Sequence, residues 1–271
     1  LQSMRRPVVI TMHDVFERAG LWERVLSPAA LGLRRLGSAA SSLVVHSEEE
    51  RGRIEGLVPA GKVEVVPHFV EVRRALPDRT ASRTALRIRD ERAITLLGFI
   101  TKRRGHRLVI DALRQLPDDV VALFVGTTIE GRDHVQQGLL EQAEQAGVAE
   151  RVRFLGFLPE NELEQVLAAT DVALCPFERM SASGALATWF SAGRPIVATD
   201  LAPCREFRAM QPGSLHLFAP YESDPLARCI SETQANASDA PDPQVQALAR
   251  RLATPRIVDR YLGLYRAAAS R

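Results

Sequence analysis

The chain has 271 residues, of which 46% are hydrophobic and 25% charged, with a formal net charge of +2. That length accommodates two domains of ordinary size, and that balance excludes an intrinsically disordered chain. A near-neutral charge without an aromatic-rich basic motif gives no support for nucleic-acid binding.

Nearly every basic residue is Arg, the exceptions being Lys62 and Lys102. Cys175, Cys204 and Cys229 are odd in number, widely spaced and form no Cys-x-x-Cys. This usage fits a reducing, cytoplasmic setting. No apolar run approaches the roughly 18 residues that span a bilayer, and no leader peptide is evident, so only peripheral membrane contact stays open. Asn236-Ala237-Ser238 matches a glycosylation sequon that reads as an ordinary loop.

In chain order, residues 6–12 form an apolar, β-branched run ending at His13-Asp14, a buried strand with two polar residues at its carboxyl end. Sheet edges are normally covered, so an upstream segment is expected and the first domain is expected to be incomplete. Residues 21–36 carry Leu21, Trp22, Val25, Leu26, Leu33 and Leu36 at helical spacing, with Pro28 expected to kink or interrupt the helix. Residues 42–45 and 63–66 are further strands, the first ending at His46-Ser47, with Ser47 a plausible cap for a short acidic helix. The charged, weakly periodic residues 71–92 read as a linker.

From residue 93 a strand-helix cycle repeats: strands at 93–98, 120–126, 152–156, 172–175, 195–199 and 215–218, with intervening helices. One helix is expected to start at Asn161 as N-cap, with Glu164 completing a capping box. This alternation predicts a doubly wound parallel sheet. Two apolar-striped helices separated by Pro255 close the chain. The fold class is therefore α/β with two Rossmann-type parallel-sheet domains: an N-terminal one over 1–72, a second over 73–254, and a last helix over 255–271.

The organising stretch is Asp171 to Asp200, a buried strand, a loop of small residues (Ser181, Ser183, Gly184), an Ala/Leu helix and the stop Gly193-Arg194-Pro195. At the carboxyl end of a parallel strand such a loop faces a ligand crevice, and the helix N-terminus beyond it favours an anion. Lys102-Arg103-Arg104 stands in a similar place between Gly98 and Gly105. Alone it reads equally as a solvated basic turn; two anion-friendly loops on one edge point to a diphosphate. No metal-ligand spacing, nucleophile elbow or Walker loop is present, so the charge falls to Arg, Lys and backbone N–H groups and no cofactor is expected. His13 is the best acid/base or hydrogen-bonding candidate among the six histidines, with His46 and His68 at neighbouring strand ends. Glu178 and Glu206 are candidates for sugar or ribose hydroxyls, against loop carboxylates and helix caps.

Together, Gly98-x-Ile-x-x-x-Arg104-Gly105, Phe154-Leu-Gly156, Leu-Ala-Ala-Thr-Asp171-Val-Ala-Leu-x-Pro176 and Ala192-Gly193-Arg194-Pro195 resemble the donor-binding domain of GT-B glycosyltransferases of the retaining family 4. The resemblance covers most of residues 40–200. It places His13 where that family has an active-site His and makes the last helix one that crosses back onto the first domain. It implies a UDP- or GDP-linked sugar as donor substrate, its diphosphate on Lys102, Arg104, Ser183 and Gly184, its sugar and nucleoside near Glu178, Gly156 and Glu206, and an acceptor near His13. The departures are Phe99 where the family has Arg, Arg104 where it has Lys, and Met180 and Thr188 where it has a pair of Glu seven positions apart. Retaining transfer of a hexose without metal is the leading expectation. A degenerate partner or binding subunit, motivated by the missing Glu pair, is the alternative, and a sugar-nucleotide epimerase a third reading.

Overall fold

The structure is a computed structural model that describes residues 6–13, 15, 27–73, 75–130, 133–180 and 182–270. The chain forms two compact units, one of residues 1–69, 181–183 and 251–271, the other of residues 70–180 and 184–250.

The first unit holds a parallel sheet of β1 (Val9–Thr11), β2 (Ser42–Val45) and β3 (Val63–Val65) in that order. Helix α1 spans Pro28–Ala39. Pro28 is its first residue, where its missing N–H has no partner to lose, and the Ser27 hydroxyl accepts from the Ala30 N–H at 3.1 Å. Leu21, Trp22, Val25 and Leu26 lie outside the described residues. The carboxyl end of α1 is closed by Lys62, whose ammonium donates to the carbonyls of Gly37, Ser38 and Ala40 at 3.2, 2.9 and 2.8 Å. Helix α2 (Glu48–Ile54) starts as expected on Ser47, which accepts from the Glu50 N–H at 3.1 Å. Leu33, Leu43, Val45, Ile54 and Leu57 form the core between sheet and helices.

In the second unit, residues 71–92 are not all linker: α3 (Arg79–Ala85) forms there, capped by the Asp78 carboxylate on the Ala81 N–H. The element has no apolar stripe; its arginines hold it in place instead. Six parallel strands follow: β4 (Arg92–Leu97), β5 (Val120–Val125), β6 (Val152–Gly156), β7 (Val172–Cys175), β8 (Ile196–Thr199) and β9 (His216–Phe218), in the order β6-β5-β4-β7-β8-β9. Val-Val-Ala-Leu-Phe-Val of β5 is buried throughout, the continuous apolar run expected of a parallel strand covered on both faces. The intervening helices are α4 (His106–Leu113), α5 (His134–Gln145), α6 (Glu160–Ala169), α7 (Gly184–Ala192), α8 (Ala202–Met210), α9 (Ser223–Ala235) and α10 (Pro243–Arg251). The expected capping box at Asn161 is absent. Pro159 precedes the helix, Asn161 lies inside its first turn, and the Glu164 carboxylate is taken by Arg73 at 2.8 Å.

Three arginines close the carboxyl end of α6. Arg79 donates to the carbonyls of Ala168 and Thr170, Arg83 to that of Ala169, and Arg194 to those of Leu167 and Ala168. Asp171 balances two of them, accepting from Arg79 at 2.5 Å and Arg83 at 3.2 Å, and also takes the Ala93 N–H at 2.6 Å. Cations at the negative end of a helix are favourable, and here they weld α3, α6 and the starts of β4 and β7 together. Arg194 is 4% exposed, and burial, then the charge of Arg79, lower its pKa to about 10. The closing helix α11 (Thr254–Ala269) belongs to the first unit, where Arg260 donates to the Val65 carbonyl at 2.6 Å. Pro255 sits in its first turn rather than between helices.

Candidate functional site

The strand order of the second unit reverses between β4 and β7, which makes the carboxyl ends of these two strands the topological switch point, where open parallel sheets bind ligands. The loop after β4 carries Lys102 and Arg104, and the loop after β7 carries Glu178 and leads to Gly184 at the start of α7. The two loops touch. Glu178 donates its N–H to the Arg103 carbonyl at 3.1 Å. Gly105, at φ 85°, packs so closely on Pro176 that a Cβ there would stand 2.2 Å from the Pro176 carbonyl oxygen. Gly126, at the end of β5, lies equally close to the backbone of Gly98, where a Cβ would meet the carbonyl oxygen at 2.1 Å. Only glycine allows these approaches.

Arg104 rests its guanidinium on the Phe177 ring, 4.6 Å from the centroid. Burial lowers its pKa, and among the described residues no carboxylate compensates it. It remains a cation, but one held half out of water without an anion. Next to it His106, the first residue of α4, is 1% exposed, and neither ring nitrogen makes a well-formed hydrogen bond, the Thr101 backbone acting on the ring only weakly. Burial, then the charge of Arg104, lower its pKa to about 4, against an opposing pull from the Thr101 backbone. The imidazole is therefore neutral near pH 7. Tyr221, beyond β9, donates its hydroxyl to the Pro176 carbonyl at 3.1 Å; burial and then Glu178 push its pKa up to about 12.

In the first unit, His13, His46 and His68 line a cavity of about 380 Å³ together with Phe69, Tyr261 and Tyr265. His13 and His46 have ring centroids 5.0 Å apart, and His46 and His68 5.9 Å apart. His46 is 8% exposed; His13 is exposed. Among the described residues, no group of three or more His, Cys, Asp or Glu is placed to hold a metal ion.

The model of the family described as glycosyl transferases group 1 matches residues 91–236, more than half of the 271-residue chain. The chain belongs to this family. A group 1 relative, the 2-deoxystreptamine glucosyltransferase of Streptomyces kanamyceticus, is 26% identical over 240 residues, covering 83% of this chain and 60% of its own. D-inositol 3-phosphate glycosyltransferase of Mycolicibacterium gilvum is 28% identical over 173 residues, covering 62% and 39%. The chain thus spans less than two thirds of the length of these curated relatives. Among solved structures, Anabaena Alr3699/HepE in complex with UDP superposes with a TM-score of 0.82 at 23% identity, covering 97% of this chain and 73% of that one. This likeness shows the GT-B fold.

Within this group 1 domain, Lys102, Arg104 and Glu178 come together at the switch point, and Gly184 opens the helix after it; Lys102 and Glu178 are exposed. Ser183 directly precedes Gly184 and is half-buried. Gly156 ends β6 and the half-buried Glu206 sits on α8, after β8. Those strands are four steps apart in the sheet, about 19 Å at the usual spacing, so these two residues flank the switch point and do not meet. Where the family resemblance expects two carboxylates, Met180 is buried and the Thr188 hydroxyl donates back to the Gly184 carbonyl at 3.0 Å. Sequence reading passed over Phe177, Tyr221 and His106. The signal for the first was an aromatic immediately after Pro176 at the strand end; Tyr221 gave none, because Pro176 is 45 positions away, and His106 none, because its burial shows only in the folded chain.

Proposed function

We propose that the chain transfers a hexose from a UDP- or GDP-linked sugar to an acceptor with retention of configuration, as a family 4-like enzyme. The observation that carries this reading is Arg104, a half-buried cation at the switch point with no carboxylate to balance it among the described residues. A donor diphosphate supplies the missing charge. In this reading Arg104, Lys102 and the N–H groups at Ser183 and Gly184 hold the two phosphates, and the positive end of α7 adds to them. The same groups stabilise the charge that grows on the departing nucleoside diphosphate, the main contribution to rate in a dissociative transfer, without recourse to a metal. Gly156 and Glu206 flank the donor on either side and Glu178 meets its sugar; His13, in the first unit, is the candidate for hydrogen-bonding to an accepting hydroxyl. The three free cysteines fit a reducing, cytoplasmic location.

A second reading, a nucleotide-binding partner subunit without turnover, is favoured by Met180 and Thr188 in the two carboxylate positions. One assay separates the two. The chain is incubated with a panel of UDP- and GDP-sugars, with and without acceptors, and release of nucleoside diphosphate is followed. Release, by transfer or by donor hydrolysis, is the expected result; tight nucleotide binding with no release favours the partner subunit, and neither binding nor release by folded protein contradicts both.

A further inference from the structure

We infer that His46 is a positioning residue that fixes His13 in the Nδ1–H tautomer. The His46 Nδ1 lies 2.9 Å from the Val66 carbonyl oxygen, and its Nε2 lies 3.3 Å from the His13 Nδ1. A carbonyl only accepts, so the His46 Nδ1 must carry a proton. A neutral His46 then has a lone pair on Nε2, and the ring nitrogen facing it on His13 must be the donor. The remaining His13 nitrogen, Nε2, carries the lone pair in the neutral ring, where it can act only as an acceptor.

His46 is well suited to impose this choice. Its ring is buried, its side chain is tied to Val66, and its own backbone N–H donates to the Glu50 carboxylate at 2.7 Å, on the helix that Ser47 caps. Its pKa is lowered by burial first and by the nearby His13 and His68, against the Val66 bond that raises it, so the neutral form prevails near pH 7. An oriented His of this kind follows the logic by which one group sets the tautomer of a catalytic imidazole. The consequence for sugar transfer rests on the function proposed above; the tautomer itself does not.

The test is a two-bond proton–nitrogen correlation spectrum of the full chain labelled at histidine with nitrogen-15, recorded near neutral pH. The expected pattern for His13 is a protonated Nδ1. In His46→Ala it shifts toward the Nε2–H form that an unconstrained imidazole favours, and in His46→Gln, whose amide oxygen can accept in place of the ring nitrogen, it returns. An Nε2–H tautomer in the unaltered protein overturns the inference, as does an unchanged His13 in a folded His46→Ala. The spectrum of the unaltered protein decides even where the Ala variant fails to fold. In the release assay His46→Ala lowers turnover roughly tenfold or more while His46→Gln retains most of it. A protonated Nδ1 with no release from any donor would leave this inference standing and count against the proposed activity alone.

Discussion

The two ends of the six-stranded sheet use arginine in opposite ways. At the amino end of β7, Arg79, Arg83 and Arg194 are saturated by Asp171, Asp239 and the last carbonyls of α6. At the carboxyl end Arg104 has an aromatic face and no balancing carboxylate among the described residues, beside a His106 that is buried without a well-formed hydrogen bond. Composition does not separate these arginines; their partners do. Where the arginines are paired with carboxylates and carbonyls, removing a partner breaks the fold; where the cation has no carboxylate, removing it should cost ligand and spare the fold.

The largest expected effect lies where the two loops of the carboxyl end meet. Gly105→Ala adds a methyl group 2.2 Å from a backbone oxygen at a positive φ. Backbone strain and overpacking together predict a loss of about 4 kcal/mol in urea unfolding, along with nucleotide affinity. Asp171→Ala comes next, since it strands two arginines at the amino end, and about 3 kcal/mol of stability is expected to go while the nucleotide affinity of the folded fraction holds. Retained stability here would erase the contrast between the two ends.

His106 sharpens the comparison through pH. Its folded pKa of about 4 lies below the ordinary 6.5, so the unfolded chain binds the extra proton first. The stability it leaves intact above pH 6.5 is lost as pH falls from there toward 4, by up to about 3 kcal/mol. Unfolding curves of His106→Leu should be flatter than those of the unaltered chain across that window; parallel curves would mean the ring is not held neutral. The smallest effect belongs to Arg104→Met, which removes a half-buried cation that no carboxylate balances and is expected to change stability by under about 1 kcal/mol, in thermal or urea unfolding.

The doubly wound sheet was legible in the sequence because its strands are continuous apolar runs, as at Val120–Val125 and Val172–Cys175, separated by helical segments of ordinary length. The glycines and cations at strand ends were legible for the same reason, since their place follows from where a strand stops. What stayed hidden depends on partners distant in sequence. Arg79 and Arg83 looked like linker charges because Asp171, which orders them, is about 90 positions away. Asn161 was misread at a helix start, where a shift of two residues turns a cap into an interior position. The link from His46 to Val66 and His13 needed a sheet before it could be seen.

The most direct measurement is calorimetric titration of UDP and GDP into the full chain and into Arg104→Met. The account predicts saturable binding of a nucleoside diphosphate by the unaltered chain, weakened roughly 10- to 100-fold in the variant, as expected for loss of about 1.5–3 kcal/mol from a hydrogen bond to a charged group. Equal affinity in the two folded proteins, or no binding of either nucleotide, would contradict it.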